Sequence, residues 1–398
     1  MKALVWLTHS FRSQSKLFSR ACSHNEVAFV YYSPYYYDDD VAIMCNSAST
    51  DQEYFFRYAY SLFHWVLNEL GHEFYLFKKE DPISHINELI KKHGFDKVII
   101  DKPLFNFPNS IDPFLIDCEI EFIDSDVYSI DCHELNPRKR VDWWIENYIE
   151  YGNHVSSVEG ATGIKLKGSS SFQMMGDEEA MDLGTSDPTV PRFIEMMTEY
   201  YKTNEHNNGT SRLSGHLQHG IIDPGIVVFQ ILTASLYDRI SGETWHIKPL
   251  LQMAKRELAI IRSRKIGLQP YDDVIGWAEV ILDNESLIHL TEVEFQPLFN
   301  KIELFEGITG DDDLDEVVEM IKTEGWLHHS LRKWISSKIY YGNGGGVSSL
   351  ETLIEFFNKF SVDGQSPSTI INCIESYKLV DSEIPKYDTE DLFNTLGI

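Results

Sequence analysis

The chain has 398 residues, of which 43% are hydrophobic and 24% charged, and its formal net charge is −28. This length suffices for two or three domains with cores of their own, and the composition excludes an intrinsically disordered chain. The acidic excess argues against a general nucleic-acid binder, because phosphates repel such a field, although a local basic groove stays open.

Cysteine usage and hydropathy favour a soluble protein of a reducing, cytoplasmic compartment. The five cysteines lie far apart and form no CxxC pair, so we expect neither a metal site nor a disulfide framework. No run of 18 apolar residues occurs, so we expect no membrane partner. The N-terminal "MKALVWL" is too short for a signal peptide and predicts a first strand instead.

The first 130 residues alternate strand-like and helical patterns. Strands are predicted at "ALVWLTH", "EVAFVYYSP" and "CEIEFIDSD", and a helix closed by Gly71 at "YAYSLFHWVLNELGHEF". The stretch "INELIKKHGFDKVIID" predicts a helix, a glycine stop and a buried strand. This alternation predicts a parallel, doubly wound α/β sheet of Rossmann-like type. No GxGxxG follows the first strand, so the usual dinucleotide fingerprint is absent.

The remainder divides into a connector and a helical half. Residues 131–190 are polar and predicted to be irregular, and from 191 the apolar period becomes helical. The predicted order is therefore an α/β domain (1–130), an interdomain connector (131–190) and an all-α domain (191–398).

The stretch "GTSRLSGHLQHGIIDPG" (209–225) opens the helical half. Thr210, Ser211 and Ser214 suit a helix start, where side-chain oxygens cap free N–H groups. The same hydroxyls, with Arg212 and the N–H groups, also suit an anion site that binds phosphate. This segment alone leaves both interpretations open.

Two further segments carry charge among apolar residues. In "KRELAIIRSRK" (255–265), Arg256 and Glu257 fit an ordinary amphipathic helix with paired charges. In "FEGITGDDDLDEVVEMIKTEGWLHHSLRKW", Thr309 or an early aspartate is predicted to cap a helix with an acidic first turn, rather than to form a calcium loop. Trp326, His329 and Arg332 follow at i, i+3 and i+6. A shared helix face of these three would suit a flat, anionic, heteroaromatic ligand, or would be an ordinary surface.

Together the three segments resemble the cryptochrome and DNA photolyase family. The first is similar to its TSRLSPYLHFGxISPR stretch, the second lies where the family has NELxWREFY, and the third aligns without a gap with its WxEGxTG…TGWMHNRxRM block. The resemblance covers most of the chain and implies a helical FAD-binding domain of photolyase type. The implied cofactor contacts are Tyr201 (or Tyr200), Thr210, Ser211, Arg212, Leu213, Ser214, Trp326, His329, Arg332 and Asp363.

By the same resemblance, Thr210–Ser214 would hold the FAD pyrophosphate, and Arg332 would flank the isoalloxazine ring and pair with Asp363. Glu257 matches the glutamate of the family's substrate cleft. His329 stands where the family has an asparagine, and Glu257 and His329 are the candidate acid–base residues for chemistry other than repair. No metal is implied.

The chain also departs from the family where light-driven repair is concerned. The base-stacking tryptophan and its neighbour are Ile260 and Ile261, and the inner tryptophan of the electron relay falls near Cys373. We therefore expect a divergent, photolyase-like flavin-dependent lyase that acts on a nucleotide or modified nucleobase, with little dimer repair. An active DNA photolyase, and a cryptochrome-like sensor or scaffold without flavin, remain open alternatives.

Overall fold

The computed structural model describes residues 1–8, 11, 15–32, 63–64, 67–68, 70–77, 81–102, 112–124, 136–149, 215, 217, 220, 223–242, 244–266, 274–282, 284–292, 296–327, 329–361, 364 and 367–380. The predictions for Tyr201, the phosphate stretch Thr210–Ser214 and Asp363 lie outside these residues.

A five-stranded parallel sheet organises the N-terminal part. Its strands are β1 (Lys2–Leu7), β2 (Glu26–Tyr32), β3 (Glu73–Phe77), β4 (Lys97–Asp101) and β5 (Glu119–Ile123). They lie in the order β3-β2-β1-β4-β5, so the chain winds outward from β1 in both directions. The predicted parallel, doubly wound sheet is confirmed.

Helices cover both faces of the sheet, which is why β1 is almost entirely buried and apolar and why β4 has the buried apolar centre Val98–Ile100. Successive side chains of a strand point to opposite faces. Val5 packs in the cluster of Phe18 from α1 (Lys16–Cys22), and Trp6 packs in the cluster of Ile86 from α2 (Pro82–His93). Helix α2 ends at Gly94, whose left-handed φ of 68° confirms the predicted glycine stop.

One helix lies inside the segment that we predicted to be irregular. Helix α3 (Pro137–Glu146) begins at Asn136, whose side chain accepts hydrogen bonds from two backbone N–H groups, and Pro137 occupies its first turn. Val141 and Trp144, three residues apart, are both buried. The prediction is wrong for these ten residues, because a buried face outweighs their polar composition.

The C-terminal part is helical throughout its described residues. Its helices are α4 (Pro224–Ala234), α5 (Leu236–Ser241), α6 (Ile247–Ile266), α7 (Val274–Ile281), α8 (Asn284–Glu292), α9 (Lys301–Glu306), α10 (Asp312–Glu324), α11 (His329–Gly342), α12 (Gly346–Phe360) and α13 (Pro367–Val380). Asp311 caps α10, and the first turn of α10 is acidic, as predicted. Helix α6 packs against both α3 and α13, and α11 packs against α12 and α13.

Candidate functional site

The corner between α11 and α12 holds the arginine for which the resemblance implies a role beside the flavin ring. Arg332 lies one turn into α11 and is half-buried. Its Nη2 donates a hydrogen bond of 2.6 Å to Oγ of Ser361, the residue that follows α12. Its Cζ lies 5.6 Å from the centre of the Phe357 ring, within the range of a cation–π contact. The guanidinium is therefore held by a hydroxyl and an aromatic ring.

Gly364 fixes the chain just beyond this corner. Its N–H donates to the carbonyl of Ser361 at 2.9 Å, which folds the segment back onto the end of α12. A Cβ at residue 364 would overlap the Phe357 carbonyl oxygen and approach Cα of Asn358 to 2.6 Å. The φ of Gly364 lies outside the left-handed region, so lack of space is the reason for glycine here. Arg332 thus contacts Ser361, the residue whose carbonyl binds Gly364, whereas the predicted partner Asp363 lies outside the described residues.

Trp326 and His329 differ in their relation to Arg332. Gly325 ends α10 with a left-handed φ of 63°, and α11 begins only at His329, so Trp326 precedes the helix. The predicted helix face shared by Trp326, His329 and Arg332 is therefore wrong for the tryptophan. The backbone of His329 starts α11, and the description does not extend to its side chain.

Two adjacent charged residues of helix α6, Arg256 and Glu257, are buried in the protein interior. Nε of Arg140, from α3, lies 3.1 Å from Oε2 of Glu257, with both side chains buried. Arg256 is 3% exposed, and its Nη2 donates to the carbonyl of Leu217 at 3.2 Å. The sequence indicated an amphipathic helix with paired charges, but both residues are buried. The catalytic role of Glu257 stays a prediction.

The two isoleucines that the resemblance aligns with the family's base-stacking pair also lie in this interior. Ile260 is completely buried and Ile261 is half-buried, one turn after Glu257. An aliphatic side chain in a closed interior offers no aromatic surface for a base. The structure therefore places Ile260 in the core of the helical part.

Among the described residues, two cavities are lined by none of the predicted site residues. An open groove of about 720 Å³ runs between the end of α3 and α5, where the Arg239 guanidinium lies 5.7 Å from the Tyr148 ring. The pKa of His246 is lowered from its usual value, mainly by burial and to a lesser extent by the nearby charge of Arg239. A second cavity of about 200 Å³ adjoins α6, α7 and α13. It is smaller than the roughly 300–1,000 Å³ typical of ligand sites.

The sequence did not point to Arg140 or Ser361. Asn136-Pro137 followed by apolar residues is a helix-start signal that could have placed Arg140 on a buried helix. A hydroxyl residue directly before the sequence "VDG" was the only signal for Ser361.

The described residues contain no group of three or more His, Cys, Asp or Glu side chains that could hold a metal ion. Within the same ranges, no helix is both long and apolar enough to cross a bilayer. In comparisons of the full sequence, no protein-family model and no curated protein matches the chain.

Proposed function

We propose that the chain is a divergent flavoprotein of the cryptochrome and DNA photolyase family that binds FAD in its helical part. The colinear motifs of residues 209–225, 255–265 and 305–337 support this proposal. The structural observation that carries it is the half-buried Arg332, whose guanidinium is held by Ser361 and Phe357. A planar cation held in this way suits a flat ligand with oxygen acceptors, so the donor set fits the ring end of FAD.

FAD would supply electron-transfer chemistry to this part of the molecule. Arg332 would place a positive charge beside the ring, and such a charge favours an anionic form of a neighbouring group. Thr210, Ser211 and Ser214 would bind the pyrophosphate through hydroxyl and backbone N–H donors. Such neutral donors can bind phosphate at little electrostatic cost even in an acidic protein.

We further propose that the chain acts on a nucleotide or a modified nucleobase rather than on pyrimidine dimers. The part of this proposal that concerns pyrimidine dimers is supported by Ile260, an aliphatic core residue that offers no ring on which a base could stack. The Glu257 carboxylate is ion-paired with Arg140. A general acid or base must reach the substrate proton, so Glu257 would have to separate from Arg140 to act as one.

The test is the absorption spectrum and flavin content of purified protein from a flavin-replete host. We expect a yellow protein with about one FAD per chain, and a triple T210A/S211A/S214A variant that loses most of it. Each lost phosphate contact should weaken binding by about 1–3 kcal/mol. A colourless wild-type protein that also fails to bind added FAD would contradict the proposal and favour a scaffold role.

A further inference from the structure

Ser361 and Phe357 both contact the Arg332 guanidinium. The family resemblance implies no role for either of them. Ser361 lies immediately after α12 and is completely buried. Its backbone N–H donates to the Phe357 carbonyl at 2.8 Å, which fixes the Cα from which the hydroxyl projects. The same turn of α12 therefore supplies the hydroxyl at 2.6 Å and the aromatic ring at 5.6 Å that both contact Arg332.

We propose that Ser361 is a positioning residue, which fixes the plane of the Arg332 guanidinium so that it presents parallel donors to a planar ligand. A guanidinium has five N–H donors in a rigid fork, and fixing one of them fixes the direction of the others. An arginine without such an anchor would lose side-chain conformational entropy on binding, which lowers affinity.

This orientation selects a class of ligand. A fork of parallel donors matches two neighbouring acceptor oxygens, or an oxygen and a nitrogen, in one plane. The acceptor edge of a flavin-type heteroaromatic ring has this form. The inference rests on the proposed function, and it assigns Ser361 to the ring end of the ligand rather than to the phosphate end.

The test compares S361A with a matched control, S349A. Ser349 belongs to α12, is also completely buried, and its Oγ makes no hydrogen bond within the described residues. We expect S361A to weaken FAD binding by about tenfold, in line with the loss of one charge-assisted hydrogen bond. S349A should leave the affinity within about twofold of wild type. Equal affinities of the two variants would overturn the inference.

Riboflavin, which has the ring without the phosphates, separates the two ends of the site. S361A should weaken riboflavin and FAD by the same factor, whereas T210A/S211A/S214A should weaken FAD alone. If Ser361 had only a structural role, the loss of flavin affinity in each variant would follow its loss of thermal stability. S361A and S349A would then have similar affinities whenever their Tm values are similar. That result would also overturn the inference.

A measurement without any ligand keeps this inference distinct from the proposed function. Urea unfolding of wild type, S361A, R332K and the double variant forms a double-mutant cycle. We expect a favourable coupling between residues 332 and 361, and additive effects would overturn the positioning role. A wild-type chain that binds no FAD would overturn the proposed function, and the cycle would still decide whether Ser361 fixes Arg332.

Discussion

Arg140 and Glu257 form an ion pair whose two side chains are only 4% and 0% exposed. The pair joins α3, which precedes the helical half in sequence, to the middle of α6. Removing two charges from water is costly, and their attraction offsets this cost only while both are present. The attraction between the two side chains therefore offsets part of the cost of burying each charge.

The first prediction follows from this dependence. R140M and E257M should each destabilise the fold by about 3–5 kcal/mol, because each removes one partner of a buried ion pair. The double variant R140M/E257M should be considerably more stable than either single variant, since methionine fills similar volume without charge. Urea denaturation of the four proteins measures this. A double variant no more stable than the single ones would contradict a direct pairing.

A second prediction concerns Gly364. G364A should destabilise the protein by about 2–3 kcal/mol, because the added methyl overlaps backbone atoms that cannot move aside. G242A is the control: Gly242 has open space but a φ of +88°, so it should show only the backbone cost of about 1 kcal/mol. Thermal unfolding of both variants gives the comparison. Equal losses would show that the end of α12 relaxes to admit the methyl group.

The third prediction is a pH dependence in the sheet domain. Hydrogen bonds from Arg20, at 2.7 and 3.0 Å, and from Lys97 lower the pKa of Glu121 from 4.5 to about 2. The folded carboxylate is thus harder to protonate than the unfolded one. Its contribution is complete above pH 4.5 and is lost as the pH falls towards 2.

E121Q should consequently cost about 1–2 kcal/mol at pH 7 and almost nothing at pH 2. E119Q provides the control on the same strand, since Glu119 also binds Lys97 but is 61% exposed. Its substitution should cost less than about 1 kcal/mol. Urea midpoints at the two pH values decide the matter, and a pH-independent loss in E121Q would contradict the assigned ion pair.

The fourth prediction concerns light. Ile260 is a buried aliphatic residue. If the proposed family resemblance holds, it stands where the family stacks the damaged base, so we expect dimer repair to be absent or very slow. The assay uses a dimer-containing oligonucleotide under blue light, with the flavin chemically reduced beforehand so that the electron relay is bypassed. Repair above the dark control would show a working photolyase with an aliphatic substrate pocket.

Sequence patterns predicted the elements that carry a strong local signal. β1 is an apolar run after Lys2, β4 has an apolar centre, and α2 ends at a glycine, so both types of element were predictable. β3 was missed because "EFYLF" directly follows an amphipathic helical pattern and its glycine, without a turn signal of its own after it. The strand order was not predicted either, because it depends on crossovers rather than on local composition.

From the sequence, candidate site residues could be proposed only where a motif contains a residue type that suits the expected ligand. Arg332 was identified by its motif, and the structure adds its hydroxyl and ring partners. The partner of Glu257 was not, because Arg140 lies in a polar stretch that is distant in sequence. Long-range ion pairs leave no periodic trace in a single sequence.

Trp144 of α3 belongs to the same buried cluster as Ile231 and Trp245. The hydrophobic core of the helical part therefore includes α3, which lies before residue 191, the predicted start of the helical domain. A fragment that begins at residue 191 would lack the indole of Trp144 and the counterion of Glu257 together. It would expose the apolar surface that α3 covers and would be prone to aggregate. Dissection of this protein into separately expressed halves should therefore cut before Asn136, so that the helix remains with the core that it completes.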